Sequence, residues 1–375
     1  MTIVIFSSVF NHHSLPLCDA LNSVDGVKCY FVATQSEEDE RKQLGYHTYD
    51  RDYVIDMYSS EENKRLATAL ALDSDVMIAG VFPYDLLERR LDRNKLTFLC
   101  QERMFKGGVT LVKKLRSWFY NMRKFARFNG KPLYFLSMGD GAARDYHSIG
   151  FYRNKAFRWG YFTHFEKCDL DALMQKKPTD EVEILFVGRL IPLKNPDFPL
   201  RAAKELLFEG YKLHLTYIGV GELDESLKQA AAELGDNVSF LGSMPPERVR
   251  EYMDTANILT FTSNSMEGWG AVVNEAMNSG CAVVASSAPG SVITMLRDGE
   301  CGLVYSEDDY DEFRTKLCEL VASPALTEKI GRNAYTTIAE SYNATIAAKR
   351  FTECCEKMLA GEPPIDYTEG LMQKI

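Results

Sequence analysis

No run in this chain approaches the roughly 18 apolar residues a spanning helix needs, so no transmembrane segment is expected. None of the nine cysteines forms a C-x-x-C pair, and several lie in apolar runs such as Cys281-Ala282-Val283-Val284. That excludes a disulfide framework or zinc site and fits reduced, buried thiols. Low-complexity tracts and short repeats are missing, which sets aside solenoids and disordered scaffolds. Positive charge is in deficit. A net charge of -10 argues against a nucleic-acid binder, whose affinity comes from neutralising phosphates. The run Met1-Thr2-Ile3-Val4-Ile5-Phe6 has neither a basic flank nor a cleavage site. It reads as a first strand, and a cytoplasmic protein is expected.

What is present is an ordinary globular composition, 46% hydrophobic and 26% charged over 375 residues, enough for about two domains. In the second half, β-branched runs (183–187, 213–218, 238–241, 258–262, 282–285 and 302–305) alternate with helical patterns. Alternation of this kind predicts a parallel, doubly wound sheet. Strands apolar on both faces, such as Ile184-Leu185-Phe186-Val187, fit helices on either side. The first half is less regular, with candidate strands at 3–6, 28–32, 76–79, 96–100 and 133–136 and a long helix within 111–128. The expected division is α/β: a Rossmann-like domain over 1–165, a linker at 166–181, a second Rossmann-like domain over 182–340, and a helix and tail at 341–375 packing back towards the first. Two such domains would face a cleft, with ligands at the carboxyl ends of the strands.

The most informative stretch is Met266-Glu267-Gly268-Trp269-Gly270-Ala271-Val272-Val273-Asn274-Glu275-Ala276-Met277-Asn278-Ser279-Gly280. Gly268 and Gly270 permit a tight turn and close approach of a ligand to backbone. The amides of Ala271, Val272 and Val273 at the helix start suit an anion. Glu267 precedes the helix, and Glu275 follows two turns on, where a carboxylate can accept bonds from a ribose diol. A glutamate pair eight apart is by itself ordinary surface; the flanking glycines make it more. Arg189 and Lys194 follow the strand at 183–187 and place a fork of donors and a point charge at its carboxyl end; a pair of surface charges beside Pro192 and Pro196 is the alternative.

These motifs resemble the donor-site signature of glycosyltransferase family 4, the group 1 transferases, including the bacterial surface-polysaccharide type. E-x7-E lies within E-G-x-G and E-A-M-x-S-G. Gly188-Arg189-Leu190 with Lys194 is similar to G-R-L-x-x-x-K. Val238-Ser239-Phe240-Leu241-Gly242 is similar to V-x-F-L-G, and Asp298-Gly299-Glu300-Cys301-Gly302-Leu303-Val304 to D-G-x-x-G-L-V. The resemblance spans about residues 182–341. It implies the GT-B architecture and a retaining, metal-independent hexosyltransferase with no cofactor, using a UDP-, GDP- or similar nucleoside-diphosphate sugar. Glu267, Arg189 and Lys194 would be catalytic, while Gly188, Leu241, Gly268, Trp269, Gly270, Ala271, Val272 and Glu275 would hold the donor. Glu267 would bind the donor-sugar hydroxyls, and Leu241 would lie by the base. Asp169-Leu170-Asp171 mimics a D-x-D metal site, but no strand leads into it and it reads as a helix start.

The first half should receive the acceptor, a glycan or lipid-linked oligosaccharide. Its candidates are Asn11, His12 and His13 after the first strand, Glu102 after the strand at 96–100, and Asp140 between two glycines. The first loop has no glycines, unlike many family members, and helix capping is an equal reading for Asn11 to His13. Residues 103–131 hold nine Lys and Arg without one Asp or Glu, interleaved with aromatics. A basic aromatic helix suits an anionic membrane surface; the alternative is a stripe packed on the sheet. Rival readings are a sugar-nucleotide epimerase of the same architecture and a non-catalytic sugar-nucleotide-binding protein. A dehydrogenase is disfavoured, since Gly219-Val220-Gly221 lacks the third glycine of G-x-G-x-x-G.

Overall fold

The computed structural model describes residues 1–35 and 50–375. These form two compact units, Met1–His164 with Ser341–Ile375, and Phe165–Glu340.

The first unit begins β1 (Thr2–Ser7), α1 (Leu15–Asn22), β2 (Lys28–Ala33), β3 (Val54–Asp56), α2 (Glu61–Asp73), β4 (Val76–Ala79) and α3 (Tyr84–Asp92). It continues β5 (Leu96–Gln101), α4 (Leu111–Phe125), β6 (Leu133–Met138), α5 (Asp140–Ser148) and β7 (Ala156–Trp159). Its sheet runs β3-β2-β1-β4-β5-β6-β7, and each pairing is parallel. Ile3, Val4 and Phe6 are fully buried because helices cover both faces of β1.

The second unit opens with α6 (Leu170–Met174), inside the stretch expected as a linker. Asp169 caps α6 by accepting from the Asp171 and Ala172 amides, and Leu173 and Met174 are buried with Tyr335. That packing ties the stretch to the second unit. Then come β8 (Val182–Val187), α7 (Asp197–Phe208), β9 (Leu213–Ile218), α8 (Asp224–Ala231), β10 (Val238–Phe240) and α9 (Pro246–Thr255). They are followed by β11 (Ile258–Phe261), α10 (Val272–Asn278), β12 (Ala282–Ser286), α11 (Gly290–Met295), β13 (Leu303–Tyr305), α12 (Tyr310–Val321) and α13 (Pro324–Ser341). The order is β10-β9-β8-β11-β12-β13, again parallel throughout. Each sheet therefore reverses its strand progression once, at β1/β4 and at β8/β11, where loops diverge and leave room for a ligand.

After α13 the chain rejoins the first unit as α14 (Ala344–Leu359). Phe351 packs against Phe98 and Trp159 at centroid distances of 5.1 and 5.6 Å. Met372 and Ile375 then donate amide bonds to the carbonyls of Arg158 and Ala156, so this segment covers the edge of β7. Strands β3 and β7 were not foreseen, being three and four residues long without a strong alternating pattern.

Candidate functional site

The β8/β11 switch point of the second unit gathers most of the expected donor residues. Glycines let its loops approach one another. A Cβ at Gly219 would stand 2.0 Å from the Gly188 carbonyl oxygen, and one at Gly221 2.3 Å from that of Leu190. Gly188, Gly219 and Gly270 have φ of 150°, 138° and 85°, conformations L side chains rarely adopt. Gly219 and Gly221, the pair that mimics a dinucleotide fingerprint, thus serve close packing of the β8 and β9 ends. Gly270 allows its loop to lie on the Phe261 ring, which a Cβ would strike at 2.3 Å.

Two loops are then stitched together. Thr262 Oγ1 donates to the Lys194 carbonyl (2.6 Å), and the Asn264 amide donates to that of Leu193 (2.9 Å). Asn195, left-handed at φ 42°, donates from its side-chain Nδ2 to the Thr262 carbonyl (3.2 Å) and to Asp308 (2.9 Å). This scaffold aims the Lys194 ammonium at Glu267, 2.6 Å away, and Ser263 Oγ donates to the same carboxylate at 3.3 Å. Both charges are largely buried, with 15% and 20% of their side chains exposed. Arg189, by contrast, is exposed and has no hydrogen bond or ion pair from its guanidinium to any described residue. The edge thus carries one neutralised cation and one unspent one.

The glycine loop is held from behind. The Gly290 and Ser291 amides donate to the carbonyls of Gly268 and Trp269 (both 3.0 Å), and Ser291 Oγ to that of Gly270 (3.2 Å). This brace was not anticipated; its signal is Pro289-Gly290 after β12. Two expectations need correction. Trp269 is 3% exposed and its indole N–H donates to Asn274 at 2.8 Å, so its side chain is core and only its backbone can meet a donor. Val273 donates its amide to the Gly270 carbonyl (3.1 Å), which leaves Ala271 and Val272 at the helix start. Leu241 is 38% exposed at the end of β10, next to the Gly219–Gly242 backbone bond of 2.8 Å. Glu275 lies on α10, partly buried; loss of hydration pushes its carboxyl up to about 7, against the opposing pull of Arg250.

In the first unit, the β1/β4 switch point opens a cavity of about 320 Å³ lined by Ser7, His13, Gly80, Glu102, Trp159 and Tyr161 among others. Asn11 is occupied as a cap, accepting at Oδ1 from the His13 and Ser14 amides at 3.0 and 3.2 Å. The rings of His12 and His13 lie 3.8 Å apart between centroids, tilted by 47°. Glu102 accepts from Lys106 (2.6 Å) and from the Tyr161 hydroxyl (3.2 Å). Asp140 does not reach the cavity lining; Arg158 of β7 donates to both of its oxygens, at 2.8 and 2.7 Å, so it positions β7. The acid between two glycines looked reactive because the sequence does not show that partner.

Two parallel Rossmann-like sheets, one edged by glycines and an unspent arginine, define the class as a GT-B fold. Residues 172–337, nearly the whole second domain, match the family model of group 1 glycosyl transferases. D-inositol 3-phosphate glycosyltransferase from Acidothermus cellulolyticus is 36% identical over 168 residues, 42% of this chain and 37% of that protein. The amylovoran biosynthesis glycosyltransferase AmsK of Erwinia amylovora is 29% identical over 195 residues, 50% of this chain and 46% of AmsK. The similarity thus spans less than half the length of these curated relatives. Over the whole fold, a glycosyltransferase from Rickettsia africae gives a TM-score of 0.67 at 13% identity, covering 96% of this chain and 98% of that one. Anabaena HepE in complex with UDP gives 0.66 at 15%, covering 95% and 100%.

Proposed function

We propose that this protein is a glycosyltransferase that moves a hexose-type sugar from a nucleoside-diphosphate sugar to a glycan or lipid-linked oligosaccharide acceptor, with retention and without a metal. The observation that carries the reading is the unspent Arg189 guanidinium beside the Lys194–Glu267 pair on a glycine-lined edge. As the bond from the anomeric carbon to the diphosphate breaks, charge gathers on the leaving phosphate, and Arg189 stabilises it more than the ground state. Lys194 adds a second cation when its partner turns to the sugar hydroxyls. The acceptor hydroxyl attacks from the face the phosphate leaves, passing its proton to a phosphate oxygen, so configuration is retained. Glu267 shields the positive centre without forming a covalent bond. Support for a nucleotide ligand comes from HepE, of similar fold and solved with UDP. A role in the assembly of a surface polysaccharide is consistent with this chemistry, and the similar AmsK is named for amylovoran biosynthesis.

The test is a thermal-shift screen of nucleoside diphosphates, with UDP first, since a ligand of the native state raises its stability. Donor incubated alone, with and without EDTA, then separates the alternatives. Slow EDTA-resistant hydrolysis supports the transferase, conversion to an epimeric sugar nucleotide marks an epimerase, and binding without turnover marks a binding protein. No shift with any nucleotide would overturn the reading.

A further inference from the structure

Helix α4 reverses the usual arrangement of a surface helix. The residue it buries is polar, Asn121 at 3% exposure, while Leu111 and Val112 stand 73% and 74% exposed. Leu115, Trp118, Phe119 and Met122 are likewise open to solvent. At about 100° per residue these six side chains share one half of the helix, and Lys113, Arg116, Arg123 and Lys124 run along the adjoining flank. A stripe that covered the sheet would show the opposite pattern; neighbouring α3 does so, burying Leu86, Leu87 and Leu91. Among the described residues, Leu111, Val112, Leu115 and Phe119 are therefore turned away from their own domain, while Trp118 and Met122, at the edge of the stripe, also border a cavity beside Phe128 and Leu133.

Its charge identifies what would cover it. Of the nine cations in residues 103–131, Arg103, Lys106 and Arg127 find carboxylates in Asp145, Glu102 and Glu88. Lys113, Lys114, Arg116 and Arg123 have no carboxylate within ion-pair distance among the described residues, and Lys124 lies over the Tyr84 ring at 4.0 Å. A second copy would bring these cations against their own kind, whereas a surface of anionic phosphates neutralises them and an acyl boundary takes the aromatic and aliphatic stripe. We infer that α4 is a membrane-docking helix that lies in the headgroup layer of a bilayer containing anionic phospholipid, with its Leu111-to-Met122 stripe entering the acyl boundary. The inference rests on this surface alone and stands apart from the transferase reading. If both hold, it names where a lipid-linked acceptor is met.

The tryptophans supply a direct probe. Trp159 and Trp269 are 2% and 3% exposed and Trp118 is 44%, so a change in emission on adding lipid reports α4. The full chain, mixed with vesicles of phosphatidylglycerol and phosphatidylcholine, should show a blue-shifted emission quenched by brominated acyl chains. Trp118→Phe should remove that response. Sedimentation should find the protein with these vesicles at low salt and in the supernatant with phosphatidylcholine alone. The triple reversal Lys113→Glu, Arg116→Glu and Arg123→Glu should weaken vesicle binding by about a hundredfold. Leu115→Ser with Phe119→Ser should weaken what survives at high salt, where charge is screened. Unchanged thermal unfolding of the variants shows that the fold is intact, and UDP binding is read separately, so either reading can fail without the other. Equal, negligible sedimentation with both vesicle types at low salt would overturn the inference. So would a Trp118 shift that appears without lipid as protein concentration rises, which would assign the face to a second copy.

Discussion

Lys194 and Glu267, 73 residues apart in sequence, meet as a 2.6 Å ion pair across the β8/β11 switch point. The pair joins the cation of one motif to the acid of another, so each holds its partner's charge before any donor arrives. Glu267→Gln keeps the shape and removes the charge. On the proposed mechanism its UDP affinity should stay within about twofold of the parent while turnover falls at least about tenfold, because the carboxylate would act on the sugar and its transition state. Lys194→Ala leaves a largely buried carboxylate with Ser263 alone and should cost about 1–3 kcal/mol of stability in urea unfolding as well as UDP affinity. Equal loss of UDP affinity in both variants would refute the division of roles.

Arg189 has no competing partner among the described residues, so its removal should be felt by the ligand and not by the fold. Arg189→Ala should unfold at the parent's temperature yet bind UDP about 1.5–3 kcal/mol more weakly by titration calorimetry, the scale of charge-assisted hydrogen bonds. Unchanged affinity in the folded variant would remove Arg189 from the diphosphate site.

Glu275 makes stability depend on pH in a direction opposite to most carboxylates. Its folded-state pKa, about 7, lies above its ordinary 4.5, so the native state prefers the proton. That contribution is complete below about pH 4.5 and is lost as pH rises through 7. Glu275→Gln stays neutral throughout, so it should match the parent near pH 4.5 and exceed it by about 1–3 kcal/mol at pH 8. Parallel urea unfolding curves at the two pH values decide it, and a gap that does not widen with pH contradicts the shift. UDP affinity should fall in the same variant if Glu275 accepts from the ribose.

The close approach of Gly219 to Gly188 predicts a sharp contrast between glycines. Gly219→Ala places a methyl against the Gly188 carbonyl and should destabilise the protein by more than about 2 kcal/mol, with loss of UDP binding. Gly210→Ala is equally left-handed at φ 93° but meets nothing within 4 Å, so its cost should stay near 1 kcal/mol. Circular-dichroism melts of the two compare them directly.

The second domain was readable because its strands are buried on both faces and its loops require glycine, so periodicity and spacing carry the fold. Gly188, Gly270, Arg189 and Lys194 could be placed at strand ends on that basis. Trp269 could not be placed: an aromatic between two glycines reads the same whether it faces a ligand or, as here, donates inward to Asn274. Asp140 looked reactive because its partner Arg158 lies on a four-residue strand with no signal of its own. For α4, spacing showed an apolar stripe and a basic one, but nothing in a helical period says which side meets the protein. That depends on the tertiary placement of Asn121.

The return of residues 341–375 to the first unit has a consequence for how the protein is made. On the ribosome, the second domain has its whole sequence once Glu340 has emerged, whereas the first, although begun earlier, still lacks Phe351 from its core and a cover for the edge of β7. The domain translated first is therefore the one completed last, and through the synthesis of about 175 intervening residues it presents an open strand edge of the kind chaperones shield.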